Sequence, residues 1–172
     1  MREFIESLST REPPLVRLPG TAVFLNRGDD TAPLSMRANV EHNHVLAEHV
    51  VIVSLNTEPV PRIPDADRIT FDALGVPDDG IIHVIMHFGY MDRVNVPHAL
   101  SLLDPIQTEG PLDLDRATYF LSRLELCQGD SPTMAPWRKR LFIATSYITA
   151  DAAERFGLPR DRIVIMGSRI EV

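Results

Sequence analysis

Three histidines stand close together in this sequence, at His42, His44 and His49, and two more lie four apart at His83 and His87. Grouped imidazoles can hold a transition metal or move protons, and a zinc-type site needs three or four donors converging on one point. His42-Asn43-His44 has the letters of a metal-dependent nuclease motif, but that chemistry needs them spread along a ββα unit. On a helix, His42 and His44 would lie about 200° apart and could not share an ion. His49 begins a strand, so the expected outcome is a helix end with exposed histidines. His83 and His87 fall on a strand, where residues four apart share a face. No third ligand is visible in the sequence, so a satisfied, partly buried pair is expected there.

Other candidate constellations weaken in the same way. Gly129-Asp130-Ser131 resembles the nucleophile block of a lipase-like hydrolase. A serine nucleophile needs a histidine base within reach, yet no histidine follows His98 and Pro132 follows the serine directly. A plain turn is the better reading. Cys127 is the only cysteine, so no internal disulfide can form. It lacks a neighbouring base or cation that would make a reactive thiolate, and reads as a small apolar residue at a strand end. No glycine-rich phosphate loop occurs. The acid pairs Asp29-Asp30, Asp65/Asp67, Asp78-Asp79 and Asp113/Asp115 fall in turns and lack the spacing of a calcium loop. The sequence therefore assigns no catalytic and no metal residue, implies no cofactor, and names no binding residue. A domain of this size without a catalytic set points to binding or regulation.

With 172 residues, 44% of them apolar and 24% charged, the chain suits one globular domain with a sizeable core. Its formal net charge is -7. Arg138-Lys139-Arg140 is the densest basic run, and Lys139 the sole lysine. That is a solvated helix face and not a stripe that could track nucleic-acid phosphates, so no nucleic-acid partner is expected. The longest apolar run, Ile81 to Met91, is interrupted by His83 and His87 and falls short of the roughly 20 residues that span a bilayer. The first residues carry acids and no apolar core, unlike a signal peptide.

Positioning these residues requires a set of elements legible from period and punctuation. Residues 1–19, with Pro13, Pro14 and Pro19, read as a lead-in. Thr21 to Asn26 predicts a buried strand, and Leu34 to Leu46 a helix started at Pro33. His49 to Leu55, apolar on both faces, predicts a strand in mid-sheet. Arg68 to Leu74 alternates as a half-exposed strand does, Pro77-Asp78-Asp79-Gly80 forms a turn, and Ile81 to Tyr90 is another strand. That order suggests an antiparallel meander. Val96 to Leu103 is a short helix begun at Asn95 with Pro97 in its first turn, and Ala117 to Leu126 a strand. Residues 134–156 form the longest helix candidate, closed by Gly157 and Pro159. Arg162 to Val172 is a last strand. The fold class expected is α/β, a mixed, partly antiparallel sheet of about six strands flanked by about three helices.

Six blocks in order resemble the C-terminal domain of Kup-type potassium uptake transporters. They are Arg17 to Leu25, Glu41 to Val51, Phe88 to Met91 with Val96 to Leu100, Tyr119 to Arg123, Met134 to Arg138 with Leu141-Phe142, and Phe156 to Pro159 with Arg162 to Val164 and Gly167. Leu124 and Ile165-Met166 depart from the pattern at positions where the family often has acids. The resemblance implies residues 1–19 as a linker from a membrane region and residues 20–172 as a cytosolic C-terminal domain, with Met1 a start introduced by truncation. It implies a regulatory or assembly role at the cytoplasmic face of the membrane, in a proton-coupled potassium transporter whose transport residues lie elsewhere. Implied partners are the membrane region of the same transporter, a second copy in a homodimer, and a nucleotide or cyclic dinucleotide held by arginine forks. The other reading kept open is a freestanding metal-dependent hydrolase.

Overall fold

One strand, β2 (Val45–Glu58), organises the molecule. Its run Val50 to Val53 is completely buried, because the strand lies between two parallel neighbours and is covered on both faces. The computed structural model describes residues 1–26, 28, 31–72, 79–104, 108, 112–127 and 152–171. The sheet has six strands: β1 (Val16–Asn26), β2, β3 (Ile69–Asp72), β4 (Ile81–Gly89), β5 (Thr118–Cys127) and β6 (Ile163–Glu171). Their spatial order is β3-β4-β2-β1-β5-β6. All neighbouring pairs are parallel except β3 with β4. The chain thus starts at mid-sheet, builds outward through β2 and β4, and then reverses to the other flank of β1, as doubly wound α/β sheets do. The expected α/β class with a mixed sheet of six strands is what the structure contains.

The expected meander is corrected. β2 and β4 are parallel partners over nine residue pairs, from Val50 with Ile81 to Glu58 with Gly89. β3 is an edge strand that turns back on β4 alone. Proline-rich and Asp-Gly punctuation marks a chain reversal, but it does not say which strands then pair; the doubly apolar pattern of β2 was the better signal, since only a covered parallel strand needs it.

Helices cover both faces. On one face, α1 (Arg2–Ser9) lays Ile5 and Leu8 against Ile81, Ala22 and Phe24, and α2 (Leu34–Ala38) adds Met36. Ile5 and Leu8 are three apart, one helical turn, and both are buried. Each such side chain taken from water contributes roughly 1.5–3 kcal/mol, which secures a short helix that would be marginal alone. Residues read as a lead-in thus contain an ordered helix. On the other face, α3 (Val96–Leu100) packs Val96, Ala99 and Leu100 on Val84, Met86 and Tyr119. Its start is as expected: the Asn95 side chain accepts the His98 amide at 3.0 Å, and Pro97 fills the first turn.

The helix expected over residues 34–46 is shorter. α2 gives way to a wider π turn at Asn39–Asn43, and His44 closes it in a left-handed conformation with φ 54°. Val45 and Leu46 then belong to β2 and not to the helix. Of the helix expected over 134–156, only α4 (Ala152–Arg155) lies within the described residues. Gly157 follows it with φ 63° and its amide bonded to Glu154 O.

Candidate functional site

The sheet face under α1 and α2 changes character along its length. At the amino ends of the parallel strands it is apolar, with Ala22, Phe24, Val50, Ile52 and Ile81. Toward the carboxyl ends of β2 and β4, and across β3, it becomes a ladder of polar side chains. His83 and His87 share this face, as the strand period demands. His83 is completely buried, with its Nε2 2.9 Å from Ser54 Oγ and its Nδ1 3.3 Å from Asp72 Oδ2. Ser54 Oγ also donates to Gly28 O at 3.1 Å, and Asp72 pairs with Arg2 of α1 at 3.3 Å. His87 Nδ1 lies 2.9 Å from Glu58 Oε1, and its Nε2 3.2 Å from Thr70 Oγ1.

Aspartate, histidine and serine in this sequence of contacts have the connectivity of a nucleophilic triad. Burial decides against reading them that way. Ser54 and His83 have no exposed surface, so a substrate cannot reach the hydroxyl while the sheet is intact. The Ser54 proton also has two acceptors beside it, Gly28 O and His83 Nε2. The relay is better understood as the satisfaction of polar groups in a closed core. The expected satisfied pair at His83 and His87 is therefore what stands there. Sequence reasoning did not reach Ser54 and Asp72, which lie 29 and 11 residues from His83. The faint signal was a lone serine in the apolar run from Val50 to Leu55.

The other candidates are dispersed. His42 is exposed on the π turn, His44 closes that turn with its Nδ1 buried and unpartnered, and His49 sits within β2. Among the described residues no cluster of three or more His, Cys, Asp or Glu could hold a metal. Asp65, Asp67, Asp79, Asp113 and Asp115 lie in turns or beside strand ends as expected. Asp79 caps its turn by accepting the Ile81 amide at 2.8 Å. Asp29-Asp30, Asp78, Gly129-Asp130-Ser131 and Arg138-Lys139-Arg140 lie outside the described residues.

A recess suited to a ligand lies where β1 meets β5. The register of β1 against β2 slips between Leu18 and Thr21, at Pro19-Gly20. Against β5, β1 pairs only from Ala22 to Phe24. Beside the unpaired stretch lies a cavity of about 220 Å³, lined by Thr21, Phe24, Leu46, Arg116, Thr118 and Phe120. Phe24 and Phe120 stack with ring centroids 4.6 Å apart. The Arg116 amide donates to Asp113 Oδ1 at 3.1 Å. Its guanidinium is exposed and takes no hydrogen bond or ion pair among the described residues. An apolar aromatic wall beside an uncommitted guanidinium suits a small planar group carrying negative charge. Ligand pockets usually measure about 300–1,000 Å³, so this smaller recess would enclose only part of a ligand, such as one planar base. A second recess, about 360 Å³ beside His87, Glu58 and Thr70, is wide and shallow, and the His87 ring is already committed at both nitrogens.

The carboxyl rim of the sheet is firmly braced. Asp92 accepts the Gly89 amide at 2.9 Å and the Ile63 amide at 3.0 Å, tying the end of β4 to the segment after β2. These two bonds hold its carboxyl below the usual aspartate range, with the nearby Arg68 and Arg62 adding to them. A depressed carboxylate stabilises the fold above the unfolded pKa of about 3.9 and loses that contribution as pH falls through its lower folded value. Asp92→Asn should accordingly weaken the protein at neutral pH and lose less on further acidification than the native chain. Urea titrations at about pH 6 and about pH 3 check this; parallel losses in the two proteins would contradict it.

Comparison with known proteins adds a separate line of observation. The sequence profile described as "K+ potassium transporter C-terminal domain" matches residues 19–172. A protein of Rhodococcus jostii (strain RHA1), named a probable potassium transport system protein Kup, is 66% identical over 170 residues, covering 99% of this chain and 26% of that protein. Proteins of the same name from Anaeromyxobacter sp. (strain Fw109-5) and Cutibacterium acnes (strain DSM 16379 / KPA171202) are 38% identical over 172 residues and 39% identical over 158, with 98% and 90% of this chain covered and 25% and 24% of theirs. The chain thus spans about a quarter of the length of these curated relatives. No solved structure matches.

Proposed function

The chain belongs to the K+ potassium transporter C-terminal domain family, and from that premise we propose that it is the regulatory and assembly domain of a proton-coupled potassium uptake transporter, acting at the cytoplasmic face and carrying out neither transport nor catalysis itself. No helix among the described residues is long and apolar enough to cross a membrane. The observation that carries the regulatory reading is the recess at the β1 irregularity. It offers a charged fork and an aromatic wall, with no paired nucleophile and base in its lining. A site that binds without reacting can govern a transporter only if its ligand favours one transporter state over another.

The ligand chemistry that fits is a nucleotide, or one half of a cyclic dinucleotide, with its base against Phe120 and its phosphate on Arg116. Titration calorimetry of the 172-residue chain with mononucleotides and cyclic dinucleotides tests this. Binding is expected, and Arg116→Gln should weaken it about 10- to 100-fold, the worth of a charge-assisted hydrogen bond. Flat titrations across the series would remove the sensor reading and leave assembly alone. Light scattering of the same samples tests the homodimer; a strict monomer at high concentration counts against it. The alternative of a metal-dependent hydrolase would gain only from a stoichiometric metal whose removal lowers stability.

A further inference from the structure

Large apolar side chains stand outward at one end of this molecule. Tyr90 and Met91 follow β4, at 64% and 59% exposure, and Val60 beside them is 41% exposed. They are not a loose loop. The Tyr90 amide donates to Val60 O at 3.0 Å and the Met91 amide to Pro61 O at 2.9 Å. Asp92 ties both segments from beneath. Arg62 and Arg93, close to these residues in the chain, are exposed as well. Tyrosine, methionine and arginine around an apolar centre make up the composition of protein interfaces, and a tip held rigid in advance loses little entropy on binding.

The path of α1 says what lies opposite this tip. Arg2 reaches Asp72, which pairs with His83, the third residue of β4. Leu8 and Ser9 lie with Asp79 and Ile81, at the start of β4. α1 therefore runs antiparallel to β4, and its first residue faces the carboxyl ends of the strands. Tyr90 lies seven residues beyond His83, about 23 Å further in the same direction. In a polypeptide four times as long, as the relatives are, chain preceding α1 would arrive on the side that carries Val60, Tyr90 and Met91.

The geometry points to this rim, centred on Tyr90 and Met91, as the docking surface for the membrane region of the same transporter. The inference rests on the proposed role as a transporter domain. The exposed acids Asp65 and Asp67 near the rim's arginines favour a protein partner over an anionic lipid surface.

The test places photo-reactive p-benzoylphenylalanine at Tyr90, Met91 or Val16 in the full-length polypeptide that carries this domain, expressed in membranes. Val16 is the control: it is 56% exposed and lies at the opposite end of the sheet. Crosslinks from positions 90 and 91 to membrane-spanning segments of the same chain, with none above background from Val16, are expected. Crosslinks confined to lipid, or arising from Val16 and not from the rim, would overturn the proposal. Potassium uptake measured in the same membranes keeps the two readings apart. Uptake with no rim crosslinks refutes the docking surface alone, whereas absence of uptake in the native protein refutes the transporter reading beneath it.

Discussion

Gly80→Ala should lower the stability of this protein by about 3 kcal/mol, the sum of two separate costs. Gly80 holds φ at +73°, and an added Cβ would stand 2.2 Å from Glu48 O, a backbone atom of the central strand. The left-handed backbone alone costs an L-residue roughly 1–2 kcal/mol. The overlap costs a further 1–3 kcal/mol, roughly, because neither backbone can step aside without cost. The Gly80 carbonyl accepts the Val50 amide at 2.7 Å, the bond that sets the register where β4 begins beside β2. Any retreat stretches it. For a domain of this size, a loss of about 3 kcal/mol lowers the melting temperature by roughly 10 °C. Gly20→Ala separates the two costs. Gly20 is also left-handed, at φ +115°, but its Cβ would meet nothing within 4 Å. Calorimetric melting of both variants should therefore show Gly80→Ala falling clearly further. Equal shifts would mean that the contact with Glu48 is relieved freely.

Arg68→Met should cost about 2–3 kcal/mol, the value of a charge-assisted hydrogen-bond network at a partly buried site. The Arg68 side chain is 12% exposed. It bonds Asp65 Oδ1 at 2.9 Å and Ile63 O at 2.6 Å, stands 3.6 Å from Asp92 Oδ2, and lies 4.9 Å from the centre of the Phe88 ring. Methionine keeps much of the buried stem and removes all four interactions. Asp92, its side chain 11% exposed, then loses a cation but keeps the amides of Gly89 and Ile63. Those amides are the larger causes of its depressed pKa, so its acid-side titration should persist. Urea denaturation with an unchanged m-value, together with an Asp92 carboxyl that still titrates low by NMR, is the expected pair of results. An Asp92 that returned to the ordinary range would show that Arg68 and not the backbone holds it. Arg68→Lys should fall between, since an ammonium keeps the charge and loses the planar fork.

The sequence made the central strand plain, because an unbroken apolar run such as Val50 to Val53 has nowhere to sit except mid-sheet. The Asn95 cap was equally plain, since its chemistry is local. What could not be read was pairing. β2 and β4 are 23 or more residues apart and join in parallel only because a covered sheet favours it; the intervening β3 reads locally like the next strand of a meander. α1 was hidden by its shortness: Phe4, Ile5 and Leu8 have helical spacing, but over eight residues only, ahead of Pro13, Pro14 and Pro19, which read as irregular chain. The site was less legible still. The relay at His83 depends on register across three strands, and the recess at Arg116 depends on a slip in pairing that no single segment encodes. Both are products of tertiary geometry acting on ordinary residues.

β1, at the middle of the sheet, is the first strand to be synthesised. Its partner β2 follows within about thirty residues, but the flank that will receive β5 waits for Thr118 to Phe120, nearly a hundred residues later. At the usual pace of a ribosome that interval lasts roughly 5 to 20 seconds. Throughout it Ala22, Val23 and Phe24 present open backbone groups and apolar side chains, the arrangement that recruits a stray strand from another nascent chain. The molecule is therefore most vulnerable during its own manufacture, and the hazard comes from a segment, Thr21 to Leu25, that is buried once the sheet is closed.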